Sequence, residues 1–284
     1  MKTWIVALML ALVPLQAAAF SREEALKVAE SSLLVKGSIE THADGSVSSL
    51  LIEQEEKFPA SLLDFVRKQV MEWKFEPVLV DGQARPARSP FSLRLVARVL
   101  DKDKYSLAIR NASFHGQTAA EGEAITRVKS PAPRYPTEVL SSGATGSVYV
   151  VVKIGRDGRV VDSTVEQVNL RTLGTEKQMA KWRAQLGEET LRAVRNWRYN
   201  PPVKGEQADD EFWLARVPVD FVIDRKAAPA YGKWEMYIPG PRQSLPWSYA
   251  AERPAFSPDL LAEGGTYLLG QAPGLTLLTP LGGS

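Results

Sequence analysis

One order of parts occurs twice in this chain, and that repetition constrains the fold more than any single residue does. Trp73-Lys-Phe-Glu-Pro77 and Trp197-Arg-Tyr-Asn-Pro201 are variants of one motif, each standing between a helical stripe and a closing strand. Glu53-Gln54 and Glu166-Gln167 match as well, and Gly82 and Gly205 follow the two tryptophan motifs at nearly equal distance. Shared order with shared letters is the mark of an internal duplication.

The second copy is the clearer one. Val148, Val150, Val152 and Ile154 alternate with Ser147, Tyr149 and Lys153, the period of a strand with one buried face. Asp157-Gly158 supplies the residues that a tight hairpin needs, and Val160 to Val168 returns. A helix follows between Leu170 and Trp197, ending in Leu191, Val194 and Trp197. Val217, Val219, Phe221 and Ile223 then alternate with Arg216, Pro218 and Asp220 in a last strand. In the first copy, Gly37 to Thr41 reads as a weak strand, Asp44-Gly45 as the hairpin and Val47 to Ile52 as the return. Leu62, Phe65, Val66, Gln69, Val70 and Trp73 form one helical stripe. Phe91, Leu93, Leu95, Ala97 and Val99 form a long strand against Ser92, Arg94 and Arg98, and Tyr105 to Ile109 can pair with it.

The expected fold class is α+β, with two small two-layer domains. Each has an antiparallel sheet with one helix across it, in the order strand-strand-helix-strand. The domains fall at 20–114 and 131–225, joined by a polar linker at 115–130. Ser21 and Glu24 form a capping-box pattern, and Leu26, Ala29 and Leu33 continue at helical spacing, so a short helix is expected over 22–33. Beyond residue 225 proline and glycine recur, and this Pro/Gly-rich tail, 226–284, has no periodicity of its own. Trp234, Trp247, Leu260 and Leu261 suit it to docking as an extended arm.

The N-terminus has the pattern of a secretion signal over 1–19. Lys2 is the positive end, Trp4 to Leu15 the apolar run, and Ala17-Ala18-Ala19 the small residues before a cut at Phe20. The alternative is a retained anchor, although the run falls short of the ~20 residues a spanning helix needs. An exported chain occupies an oxidising compartment, yet this one has no cysteine among its 284 residues. Disulfides, thiolate metal sites and cysteine nucleophiles are therefore excluded, and packed cores must stabilise the fold. The net charge of +2 is too small to imply a polyanionic partner for the whole molecule.

Candidate chemistry is sparse. His42 and His115 are the only histidines, in a hairpin region and in the linker, with no partner for a metal site or an acid–base pair. Glu53, Glu55 and Glu56 read as a solvated acidic turn. Gly143-Ala-Thr-Gly146 reads as a turn before a strand, and Ser141 and Ser142 have no neighbouring base. Trp73 and Trp197 fit core plugs better than ligand platforms. No cofactor, metal or nucleic acid is expected. One charged feature stands out: Lys177, Lys181, Arg183, Arg192 and Arg195 lie on the helical segment beside Trp182, with Arg171, Arg198 and Lys204 flanking them and few acids between. As a functional face it would meet peptidoglycan carboxylates or anionic lipid; otherwise it is solvated surface.

Several second-copy segments together resemble a known family. Pro133-Arg-Tyr135-Pro136, Gly143, Gly146-Ser-Val148, Asp157-Gly158-Arg-Val160 and Arg195-Asn-Trp197-Arg-Tyr199-Asn-Pro201, closed by Val217-Pro-Val-Asp-Phe221, are similar to the signature of the TonB C-terminal domain in its expected order. The first copy resembles a degenerate version lacking the Tyr-Pro element. The resemblance implies a periplasmic, non-enzymatic module that holds a segment of an outer-membrane transporter, or of another envelope protein, by strand addition. The alternative it implies is a membrane-tethered energy transducer that keeps its N-terminal anchor. It places the partner on the closing strand, Arg216 to Ile223. Pro218 lacks an N–H and is tolerated mainly where that N–H would face outward, so even-numbered residues should point their backbone groups to the open edge. Arg216, Pro218, Asp220 and Val222 are thus the expected partner-binding edge.

Overall fold

The computed structural model describes residues 30–101, 104–114, 121–224, 230–248, 255–262, 264–270 and 274–281. The expected signal segment 1–19, most of the expected 22–33 helix, and His115 lie outside the described residues. The fold class is α+β, as expected, with two antiparallel sheets that each carry one long helix.

In the first sheet the central strand is β1 (Glu30–Thr41), with β2 (Val47–Ile52) on one side and β5 (Ala87–Asp101) on the other. Strand β6 (Lys104–Phe114) lies outside β5 along almost its whole length. Helix α1 (Ala60–Met71) packs on β2, burying Leu62, Leu63, Val66 and Val70. In the second sheet the centre is β8 (Gly146–Gly155), flanked by β9 (Val160–Leu170) and β11 (Phe212–Phe221). The short helix α2 (Thr137–Ser141) precedes β8. Helix α3 (Glu176–Val194) packs on β9 and β8, and starts in a capping box in which Thr175 and Gln178 bond each other's backbone N–H. The order β2-β1-β5 in one sheet is the order β9-β8-β11 in the other. Two short ladders complete the strands, β3 (Val78–Val80) with β4 (Gln83–Arg85), and β7 (Thr126–Lys129) with β10 (Arg198–Asn200).

The duplication extends to single atoms. Asp44 accepts the Ser46 N–H at 2.9 Å and Asp157 accepts the Arg159 N–H at 3.0 Å. The next residue, Gly45 or Gly158, sits at φ +82° or +74° and accepts through its carbonyl the N–H of Phe75 at 2.8 Å or of Tyr199 at 2.9 Å. A Cβ on either glycine would lie 1.9 or 2.0 Å from the Phe75 or Tyr199 carbonyl oxygen. Each turn is therefore clamped against the segment that follows its tryptophan, so the two motifs of one copy are two halves of one contact. Trp73 and Trp197 are core residues, 4% and 2% exposed.

Three expectations change. The helix expected over 22–33 gives way, at residues 30–33, to the start of β1, which is twelve residues long and central. Leu33, Val35 and Ile39 alternate inward there, and pairing on both sides of β1 overrides the helical spacing. The described part of the expected linker, 121–130, is packed and not free: β7 pairs with β10, Ile125 is buried in the second core, and the adjoining Pro131 accepts the Trp197 indole N–H at 2.9 Å. The closing strand starts earlier than Arg216 and ends at Phe221. Val222 and Ile223 lie beyond it, and Ile223 is exposed.

The tail docks, and it does so repeatedly. Strand β12 (Glu235–Tyr237) pairs with Glu30–Ser32 of β1. The next residue, Ile238, exchanges backbone hydrogen bonds with Leu170 of β9, at 2.9 and 3.0 Å. One continuous stretch thus joins the two sheets. A 3-10 turn, Pro258–Leu260, contacts β5, β6 and β11. Strand β13 (Tyr267–Leu268) adds to β11, and Leu277 returns to bridge with Phe75 of the first domain. Leu260, Leu261 and Leu275 are buried.

Candidate functional site

The outer edge of β11 is the candidate site. Trp213, Ala215, Val217 and Phe221 point into the helix-side cores, while Leu214, Arg216, Pro218 and Asp220 lie on the opposite face. The backbone parity follows from one bond: the Leu269 N–H donates to the Leu214 carbonyl at 2.8 Å. Even-numbered residues of β11 therefore turn their backbone toward the outer edge, and Pro218 stands where its missing N–H takes nothing from the pairing with β8.

The outer edge is only partly open. Strand β13 pairs with Ala215 and Arg216, so the Arg216 backbone already has a partner strand, which corrects its expected place in an open edge. From Val217 to Phe221 no strand lies outside β11 among the described residues. The first domain offers an internal comparison, because there β6 covers the matching side of β5 from Phe91 to Asp101.

The side chains of the expected edge residues are engaged elsewhere. Arg216 is 3% exposed, with Nε 2.5 Å and Nη2 3.0 Å from the two oxygens of Glu166. Arg242 donates to the same carboxylate at 2.8 Å, and both guanidiniums face the Phe256 ring. Asp220 accepts from Ser147 and lies 3.6 Å from Arg171. Pro218 is buried, and Val222 is half-buried past the strand end. The site can thus offer backbone groups to a partner; its charged side chains fix tail and sheet.

The motif residues that carry the resemblance form the support behind this edge. The Tyr135 hydroxyl donates to Ala144 O at 2.6 Å, and its ring meets Phe221 edge-on at 5.5 Å between centroids. Burial holds the Tyr135 phenol above its usual pKa, against the pull of Arg171. Pro136 caps α2. Tyr199 is buried in the second core beside Trp197, burial raising its phenol pKa well past the usual tyrosine value. Pro201 closes over Gly158.

The expected basic face is dispersed. Arg183 turns inward and donates to the carbonyls of Val168, Ile238 and Pro239, at 3.2 to 3.5 Å, so it fastens the tail to β9. Lys181 pairs with Glu138 and Arg192 with Glu189, each at 2.5 Å. Lys177 and Arg195 are exposed. Trp182 is a core residue, 5% exposed, lying against Gly174.

Sequence reasoning missed a buried polar seam between the sheets. Arg94, on the face of β5 expected to be solvated, is 5% exposed. Its Nη1 donates to Ser32 Oγ at 2.8 Å, and its Nη2 donates to the Asp259 backbone oxygen. Its Nε lies 3.1 Å from Asp259 Oδ2, which also accepts from the Tyr237 hydroxyl. Glu235 stands 3.7 Å from Arg94 Nη1, and burial raises its carboxyl pKa above the usual value while Arg94 opposes the rise. Burial, and next Asp259, push the Tyr237 phenol pKa far above its ordinary range. The only foresight available was two arginines, at 94 and 216, on polar strand faces.

Two clefts open nearby. One of about 310 Å³ lies at the start of β11, between Phe212, Trp213 and the β13 region. The other, of about 220 Å³, lies between β1, β5 and Tyr267. Among the described residues, no group of acidic and histidine side chains could hold a metal ion, and no helix is long and apolar enough to cross a membrane. Compared with models of protein families, with curated proteins and with solved structures, the chain matches none.

Proposed function

We propose that this protein is a non-enzymatic binding module of the bacterial cell envelope, exported to the periplasm and related to the TonB C-terminal domain. It holds an extended segment of an outer-membrane transporter, or of another envelope protein, by strand addition along the outer edge of β11. The observation that carries this reading is the unequal finish of one edge in two copies of one fold. The first sheet closes that edge with the eleven-residue β6, and the second closes it with only the two residues of β13. An unpaired strand edge presents backbone donors and acceptors in a row, which an extended peptide can satisfy. The resemblance of the second copy implies a ligand on this same strand.

The test removes one outward N–H. Asp220→Pro deletes the donor but also the contacts to Ser147 and Arg171, so Asp220→Ala serves as the control that keeps the N–H. Asp220→Ala should still capture a transporter-derived peptide. Asp220→Pro should capture it at least about tenfold more weakly, the equivalent of ~1.4 kcal/mol, about one hydrogen bond. Equal capture by both variants, each folded by circular dichroism, would remove β11 as the binding edge.

A further inference from the structure

Resting on that reading of β11, we infer that Thr266–Leu269 is a placeholder strand. It holds the first half of the ligand site and gives way to a partner strand carrying two successive apolar residues.

The sheet shows what such a ligand must look like. Leu268 packs against the helix-side cluster that contains Trp213, Ala215 and Val217. Leu269, its neighbour, is 9% exposed and packs on the opposite face with Val151 and Leu214, beside Phe212 and Trp247. Successive strand residues point to opposite faces. The edge therefore has an apolar socket on each side, and an antiparallel segment with two adjacent apolar residues fills both. A partner running along all of β11 would also reach the backbone at Asp220, which lies beyond the reach of β13.

The segment is built to leave and return. It lies between Gly264, at φ +77°, and Gly270, at φ +79°. A Cβ at either position would meet nothing within 4 Å, so these glycines serve backbone conformation and not close packing. The Tyr267 hydroxyl bonds the N–H and carbonyl of Ala262 in its own loop. Arg127 holds the loop by the carbonyls of Gly264 and Gly265, off the sheet. Anchors stand on both sides, with Asp259 and Leu260 buried upstream and Leu278 bonded to Lys74 downstream. A displaced segment stays tethered and competes at high effective concentration.

The absence of cysteine allows a clean lock. Leu214 and Leu269 are a hydrogen-bonded pair, so Ala215 and Leu268 form the closer, non-hydrogen-bonded pair, with Cα atoms about 4.5 Å apart, within disulfide range. The full-length chain with Ala215→Cys and Leu268→Cys is compared oxidised and reduced, using a labelled synthetic peptide of residues 262–271 as the probe. Oxidation should weaken capture at least tenfold, and reduction should restore it. Leu269→Asp in an otherwise unaltered chain should strengthen capture, because the internal strand then loses one socket. Equal capture by the locked and reduced forms overturns the placeholder. A lock-sensitive tail peptide upholds it, even where a transporter-derived peptide binds neither form and only the partner class of the preceding section falls. A transporter-derived peptide that binds regardless of the lock keeps that class and overturns the placeholder.

Discussion

Asp259→Ala should cost the protein about 4–5 kcal/mol of stability, far more than a tail residue ordinarily would. The Asp259 carboxylate is fully buried and Arg94 nearly so, and they meet at 3.1 Å. Removing one member of a buried ion pair typically costs about 3–5 kcal/mol, because the other charge stays in the interior unpaired. Two features place this variant in the lower part of that range. Arg94 keeps Ser32 Oγ at 2.8 Å and the backbone oxygen of residue 259, and Glu235, 22% exposed, remains 3.7 Å away. Against that, the buried Tyr237 hydroxyl loses its acceptor, a further loss of about 1 kcal/mol or more. Urea denaturation at pH 7 measures the sum by linear extrapolation. A second variant, Arg94→Met with Asp259→Leu, removes both charges and should lose less than the single change does. A single-variant loss under about 1 kcal/mol, or a double variant worse than the single, would refute the argument. The seam would then be wet, and the tail would be resting on the sheets without fastening them.

Two further predictions concern a turn and a titration. Gly158→Ala should lose about 3 kcal/mol or more, since a Cβ would stand 2.0 Å from the Tyr199 carbonyl at a φ of +74°; Gly82→Ala, at the same φ with open space around it, should lose only about 1–2 kcal/mol, and thermal unfolding of the pair separates strain from collision. Glu235 has its folded-state pKa raised by burial, against the opposing Arg94, so the folded state binds its proton more readily than the unfolded chain does. Stability should therefore rise as pH falls through the raised value toward the ordinary 4.5. The wild-type chain should gain on Glu235→Gln across that window, and parallel stability curves would show that Glu235 titrates alike in both states.

The repeat was legible because its signals are local. Asp-Gly at a hairpin, alternating valines and a helical stripe each act over a few residues, and the Gly45–Phe75 and Gly158–Tyr199 clamps lie within one copy. The central strand β1 was legible only in part. Its pairing with β5 reaches from Ser31, well before the Gly37 at which hydrophobic alternation near the hairpin becomes visible. Of the polar seam, only Arg94 and Arg216 showed in the sequence, as arginines on polar strand faces. Arg94, Ser147, Tyr149 and Glu166 occupy strand faces that alternate with the core, and alternation marks a polar face as solvated whenever its cover is remote. Here the Arg94–Asp259 contact spans 165 residues, and its cover comes from a segment with no period to read. The parity of β11 could be argued from Pro218, because a missing N–H marks a side of a strand wherever the strand lies. What lay beside that edge could not, since β13 is two residues set between glycines.

These two kinds of signal bear on how the duplicated fold acquires a site. A strand-strand-helix-strand unit leaves the far side of its last strand unpaired, whichever copy it is. In the first copy β6 follows β5 in the chain and seals that side with a long antiparallel ladder. In the second copy the chain leaves β11 at Phe221, adds β12 to the first sheet, crosses β9 at Leu170, and only then returns as β13. The detour ties both sheets together through Arg94, Glu166 and Arg183, and it leaves the edge with a short cover. A long ladder such as β5–β6 makes many cooperative bonds and resists displacement. A two-residue cover held between glycines gains little over the disordered loop, because ordering each residue opposes its bonds at about 1–2 kcal/mol. Permanent closure of one copy and provisional closure of the other therefore follow from the route of the chain. The sheet that the tail leaves half-covered is also the one that retains the Tyr135–Phe221 support behind its edge.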